Sequence, residues 1–239
     1  MISSSYSGVG KTTAALAIAN ELARNGKKIF YFSLEHWVNE DIYSNTNASS
    51  EANFSHLYYL QQTNPQGIKK WLSNHSFLIK DCGCETLMPF LHPEDRLKLS
   101  SKESIEMLQS IMQSGLYHYV IVELEAGYDE FQLSMLEYAN VHFIADYENV
   151  RLQNKSKQMI AYLKSQLDSE QQLSALEKAI YLKRSNHNRQ EHVSLQKSDR
   201  ASYTLPYIDQ GLQAFQAPIY RAVIAKCLQD MRSVGELVS

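Results

Sequence analysis

One nine-residue stretch, Ser5-Tyr-Ser-Gly-Val-Gly-Lys-Thr-Thr13, constrains this chain more than any other feature. It follows a short apolar start, Met1-Ile2, which reads as a strand end. It precedes a run with Ala15, Leu16, Ala19, Leu22 and Ala23 at helical spacing. Glycines let successive backbone N–H groups curl around an anion, and the start of a helix adds its positive dipole. In that frame Ser7, Gly8, Val9 and Gly10 supply main-chain donors. Lys11 reaches the β- and γ-phosphates, the Thr12 hydroxyl faces Mg²⁺, and Thr13 reaches the α-phosphate. The strict pattern for such a loop opens on glycine, where this chain has Ser5.

The remaining segments alternate in type. The patterning predicts helices over residues 12–24, 54–61, 100–115, 130–138 and 150–167, a short one closing at Trp71, and a last one from Ile219 to Met231. Ser100-Ser-Lys-Glu103 is a capping box opening one of them. Apolar runs of strand length fall at 28–34, 77–79, 118–124, 141–145, 179–182 and 202–205. Buried strands alternating with helices imply an α/β chain, with a mainly parallel sheet covered by helices on both faces. Neither an internal repeat nor a Pro/Gly-rich linker divides it, so the expectation is one three-layer domain over residues 1–239.

A net charge of −3 over 239 residues argues against gripping nucleic acid by overall charge. Three cysteines, Cys82, Cys84 and Cys227, make no disulfide framework, and no apolar run is long enough to span a membrane. Together these point to a cytoplasmic protein. His187, Arg189 and His192 cluster, but metal binding would need a third ligand at good spacing beside the two histidines, so that stretch reads as a solvated loop. Arg151, Lys155, Lys157 and Lys164, followed by Asp168 and Glu170, read as a solvated helix face. The apolar face of the last helix reads as packed on the sheet, and the tail Val234–Ser239 as too short and too weakly basic to anchor a membrane.

A phosphate loop also needs acids to hold Mg²⁺ and to position water. Glu35 follows the strand ending in Leu34, and Glu123 ends the His-Tyr-Val-Ile-Val-Glu run; both stand at strand ends, where open α/β sheets place their sites.

Ser-Gly-Val-Gly-Lys-Thr-Thr13, the Ala-rich helix, Gly26-Lys-Lys and the aromatic strand ending at Glu35 together resemble the MinD/ParA group of P-loop ATPases. The strand runs Ile-Phe-Tyr-Phe-Ser-Leu-Glu35 and Tyr-His-Tyr-Val-Ile-Val-Glu-Leu124 look most like the TadZ/CpaE branch, which helps localise Flp/Tad (type IVb) pilus assembly. The resemblance implies the P-loop NTPase fold, ATP and Mg²⁺ as cofactors, and an ATP-bound homodimer with pilus or secretion assembly proteins as partners. It implies a cytoplasmic place, polar or at the inner membrane face through those partners. It assigns catalytic work to Lys11 and Glu35, and puts Glu123 with Thr12 at the metal. Tyr207 either stacks on the base, where the group's adenine loop falls, or serves as a core or turn tyrosine.

Departures from the group point to slow or absent turnover. Its signature lysine is Tyr6 here, its hydrolytic aspartate is Glu35, and its strand-end aspartate is Glu123. Leu182 occupies the place of the adenine-reading asparagine, with Asn186 as a displaced substitute. Only Met1-Ile-Ser-Ser4 precedes the loop, so the first strand reads as truncated and an upstream receiver-like domain as missing. Two other roles stay open: a nucleotide-independent pseudo-ATPase scaffold, and a partition or division-site ATPase.

Overall fold

The computed structural model describes residues 1–43, 49, 51–167, 169–185, 202–209 and 211–233, with Glu40 and Leu212 described by main chain only. In chain order the elements are β1 (Ile2–Ser4), α1 (Lys11–Arg24), β2 (Ile29–Leu34), α2 (Phe54–Thr63), α3 (Ile68–His75), β3 (Phe77–Leu78), β4 (Glu85–Thr86), α4 (Pro93–Lys98) and α5 (Ser101–Gln113). They continue as β5 (Tyr119–Leu124), α6 (Glu130–Leu136), β6 (Phe143–Tyr147), α7 (Val150–Gln166), α8 (Glu170–Glu177), β7 (Ile180–Arg184), β8 (Ser202–Leu205) and α9 (Pro218–Ser233). Among the strand pairs described, β1–β6, β6–β7, β7–β8 and β2–β4 are parallel and β3–β4 is antiparallel. The chain divides into two compact units, the first made of residues 1–17 and 124–239, the second of 18–123.

In the first unit, β1, β6, β7 and β8 run parallel in that order, with Ile2 opposite Phe143, Phe143 opposite Ile180, and Leu182 opposite Tyr203. Ile144 and Tyr181 pack with Ile160 of α7 and Ala179, an apolar cluster that ties that helix to the strands. Helix α9 buries Tyr220, Val223, Ile224, Cys227, Leu228 and Met231 along one stripe and packs on β8, as its i, i+3, i+4 spacing requires. Residues 234–239 lie outside the described residues.

In the second unit the strand order is β3-β4-β2-β5, and all six residues of β2 are buried. Phe30 and Phe32 meet Phe54 at ring-centroid distances of 6.4 and 5.0 Å, Phe54 meets Phe90 at 5.6 Å, and Phe30 meets Tyr117 at 4.9 Å. Truncating one such ring to alanine costs about 3–5 kcal/mol, because transfer energy and a cavity add. The Ser100 capping box closes in both directions, with the Glu103 N–H donating to Ser100 Oγ at 3.2 Å and the Ser100 N–H to Glu103 Oε2 at 2.8 Å. Helix α1 stops on paired main-chain bonds, Gly26 N–H to Ala23 O at 2.9 Å and Lys27 N–H to Leu22 O at 3.2 Å.

Several strand and helix ends differ from the sequence expectation, and three of them bear on packing or on the loop. Trp71 sits inside α3 rather than closing it, since Ile68 and Leu72 supply the buried face and the helix runs on to His75. Strands β6 and β7 each extend two residues past the expected ends at Ala145 and Leu182, taking in Asp146, Tyr147, Lys183 and Arg184. Asp146 and Tyr147 are held extended by pairing with β7, and Lys183 and Arg184 by pairing with both β6 and β8, which apolar patterning alone does not register.

Candidate functional site

In the first unit β1 ends at Ser4 and α1 begins at Lys11, so residues 5–10 make the turn between them. Gly8 and Gly10 have φ of 73° and 90°, the left-handed region that a side chain disfavours. Space is not the reason, because a β-carbon on Gly10 would meet only Arg184 Cδ, at 3.8 Å. The Ala14 N–H donates to Gly10 O at 2.9 Å, forming the first rung of α1. Lys11, Thr12 and Thr13 therefore occupy the first helical turn, whose N–H groups have no intrahelical acceptors. Val9 and Lys11 are buried, Thr12 and Thr13 half-buried, and Ser7 and Gly8 exposed. Ser4 Oγ donates to Tyr6 O at 2.7 Å, and the Gly127 N–H donates to Ser4 O at 2.8 Å, fixing the loop's entry.

The C-terminal ends of β6 and β7 lean on the same loop. Tyr147 Oη donates to Gly8 O at 2.7 Å, and Arg184 Nη1 donates to that oxygen at 3.4 Å. Across a trans peptide the C=O and the following N–H point opposite ways, so tying Gly8 O also aims the Val9 N–H. The Arg184 guanidinium lies 5.8 Å from the Tyr147 ring centre and 5.0 Å from that of Tyr207, within cation–π reach of both. Tyr207, named from sequence, thus contacts the loop's neighbour Arg184. Tyr147 and Arg184 were not singled out, because each lies in the strand extension beyond the apolar run.

A buried polar chain runs behind β1. Ser3 Oγ is 2.7 Å from His142 Nε2 and 3.0 Å from Tyr128 Oη, and His142 Nδ1 is 3.2 Å from Ala175 O. Burial lowers the His142 pKa to about 3, so the ring is neutral. Since Ala175 O can only accept, Nδ1 carries the proton and Nε2 accepts from Ser3. Burial also raises the pKa of the Tyr128 phenol, leaving its proton for Ser3 Oγ. Asp146, at the end of β6, accepts from the Tyr147 N–H at 2.8 Å, and desolvation raises its pKa above the usual value.

The second unit holds the two candidate acids. Glu123 is fully buried at the end of its β5 segment, and Tyr31 of β2 donates its phenol proton to Glu123 Oε2. Burial first, then the Glu123 charge, raises the pKa of that phenol well above its ordinary value, so it stays a donor. Tyr43 is raised likewise, by burial and then by the charges of Glu123 and Glu35. The Glu35 N–H donates to Ser33 Oγ at 3.4 Å, and Glu35 is half-buried. Ser33, Glu35, Trp37, Tyr43, Phe90 and Arg96 help line a cavity of about 230 Å³. Arg96, itself buried, donates from Nε to Leu34 O at 2.7 Å and so fixes the strand end carrying Glu35.

Ser7, Gly8, Val9, Gly10, Lys11, Thr12, Thr13 and Tyr207 all fall in the first unit; Glu35 and Glu123 fall in the second. Leu182 is buried in β7 between Ala145 and Tyr203, so no polar side chain stands at that position. Asn186, His187, Arg189, His192 and Asp168 lie outside the described residues. Arg151, Lys155 and Lys157 are exposed on α7, and Lys164, with its side chain 20% exposed, pairs with Glu177 at 3.3 Å. Among the described residues no helix is long and apolar enough to cross a membrane, and no three His, Cys, Asp or Glu side chains gather as a metal site.

No protein-family model and no curated protein matches the chain by sequence. Solved structures do match its fold. A ParA family ATPase from Chlorobium tepidum aligns over 95% of this chain and 98% of its own, with TM-score 0.68 and 13% identity. The septum site-determining protein MinD from Pyrococcus horikoshii, solved with Mg-ADP, aligns over 98% and 96%, with TM-score 0.67 and 11% identity. The MinD cell division protein of Aquifex aeolicus aligns over 100% and 98%, with TM-score 0.65 and 15% identity. At these identities the likeness shows the fold: an α/β P-loop NTPase fold of the ParA/MinD kind.

Proposed function

We propose that this chain binds ATP·Mg²⁺ through the loop at residues 5–13 and acts as a localisation or assembly factor with slow turnover. One observation carries the reading. Two left-handed glycines deliver Lys11, Thr12 and Thr13 into the first turn of α1, beside the exposed residues Ser7 and Gly8. That donor set is main-chain N–H groups, one ammonium and two hydroxyls, which suits a polyphosphate and a hard cation with oxygen ligands. Because Mg²⁺ in such sites keeps several waters, a cluster of three acidic or imidazole side chains is not required.

When bound, Mg²⁺ neutralises charge on the β- and γ-phosphate oxygens. The chain's own residues then divide the remaining work. Amides of residues 7–10 and Lys11 would hold the phosphates, the Thr12 hydroxyl would serve the metal, and Thr13 would reach the α-phosphate. By the resemblance, Glu35 would orient the attacking water and Glu123 would serve the magnesium. Each is one methylene longer than the aspartate of the resembling group. A displacement of about an ångström costs on the order of 100-fold in rate, which favours a switch over a fast hydrolase.

The cell role follows the resemblance: placement of a pilus or secretion machine, as a homodimer with assembly proteins. A second reading, a scaffold that no longer uses nucleotide, draws support from Tyr6 and from the Tyr31 proton already held by buried Glu123. Calorimetry with ATP·Mg²⁺ beside a Lys11→Ala variant separates the two. Binding that vanishes in the variant supports the switch. No binding at millimolar ATP by the folded protein supports the scaffold.

A further inference from the structure

We propose that Arg184 is a second cation of the anion-binding loop, stored beside it by two tyrosine rings and turned to the phosphates of a bound nucleoside triphosphate. The proposal rests on the nucleotide reading of the loop. It goes further by naming a phosphate ligand from the far end of the chain, outside the loop's own motif.

The geometry places the side chain at the loop. Its Cδ lies 3.8 Å from where a Gly10 β-carbon would stand, and Nη1 reaches Gly8 O only at 3.4 Å. Tyr147 Oη serves that same oxygen at 2.7 Å, so the arginine's bond is the weaker of the two. A guanidinium offers five N–H donors in a planar fork that matches a phosphate edge. Among the described residues Gly8 O is its one hydrogen-bond acceptor, and no carboxylate lies within 4.0 Å of it.

The electrostatics point the same way. A cation at the start of a helix faces the positive end of the dipole, which disfavours it. Here Arg184 adds its charge to a helix start that already carries Lys11. Among the described residues no acid pairs with Arg184, and a polyanion in the loop would offset its charge. The Tyr147 and Tyr207 faces hold the guanidinium without neutralising it, so it stays available.

The test is calorimetry on the whole chain with ATP·Mg²⁺ and, as a probe lacking base and ribose, Mg²⁺-tripolyphosphate. Wild type is compared with Lys11→Ala, Arg184→Gln and Arg184→Lys. Losing a charge-assisted hydrogen bond predicts that Arg184→Gln weakens ATP about 10- to 100-fold. Tripolyphosphate should weaken by the same factor, and Arg184→Lys should recover part of the loss. Unchanged ATP binding in Arg184→Gln overturns the inference while Lys11→Ala, by losing binding, keeps the nucleotide reading. Loss for ATP without loss for tripolyphosphate also overturns it, since the contact would then be to base or ribose. If Arg184→Gln fails to fold, Arg184→Lys decides: its planar fork is gone, so wild-type affinity for both probes overturns the inference. A folded wild type that binds neither probe removes the inference together with the reading beneath it.

Discussion

Gly10 shows how a single backbone angle limits the loop. At φ 90° a side chain is strained whatever room surrounds it, so Gly10→Ala should cost about 1–2 kcal/mol, read as a lower urea midpoint. Tyr31 illustrates the opposite kind of constraint, a side chain required by a buried charge. Tyr31→Phe removes the phenol's bond to Glu123 Oε2 in a fully buried place, and should cost about 1–3 kcal/mol in the same assay. A loss under about 0.5 kcal/mol would mean that the carboxylate finds another partner. His142 brings pH into the account. Its folded pKa, about 3, lies below the ordinary 6.5, so on acidification the unfolded chain takes up the proton first. Its stabilising share is full above pH 6.5 and is lost as pH falls from 6.5 toward 3, by at most about 1.4 kcal/mol per pH unit. Denaturation midpoints across that window should fall more steeply for wild type than for His142→Gln.

Among the elements, α5 is the clearest case of local chemistry fixing a boundary. Ser100 and Glu103 satisfy each other's main-chain N–H groups, and Tyr58 Oη adds a 2.5 Å bond to Glu103 Oε1. These bonds hold the Glu103 carboxyl below its usual pKa, with the Ser100 hydroxyl the largest cause. Ser100→Ala should cost about 1 kcal/mol in denaturation while leaving nucleotide affinity unchanged, because it removes a cap and nothing of the loop. Strands β6 and β7 are the harder case. Their last residues are polar or aromatic and are held extended by pairing, those of β6 with β7 and those of β7 with both β6 and β8. Tyr147 and Arg184 reach Gly8 through that extension, so the loop's support was hidden by the same feature that blurred the strand ends.

For the molecule as a whole, a ligand that binds only the folded state raises stability by mass action. ATP·Mg²⁺ at roughly 100 times its dissociation constant should add about 2.7 kcal/mol, seen as a higher Tm, and Lys11→Ala should erase the shift. Light scattering with and without ATP·Mg²⁺ addresses the proposed homodimer, whose expected signature is a doubled mass in the presence of nucleotide. A mass that does not change with nucleotide would count against an ATP-bound dimer.

Much was written locally. Glycines that turn a chain, alanines that carry a helix, a Ser-x-x-Glu cap and apolar runs of strand length act over a few residues. They were therefore enough to place the phosphate-loop motif, the alternation of strands and helices, and the α/β class. Short pieces such as β4, α4 and α8 have too few residues for a period to show, and long-range packing decides them. Which residues meet the loop was decided by the tertiary structure as well. Tyr147 and Arg184 lie far from Gly8 in sequence and reach it only because β6 and β7 run parallel and end together. Sequence position holds no record of that meeting, since it is created by the register of the sheet.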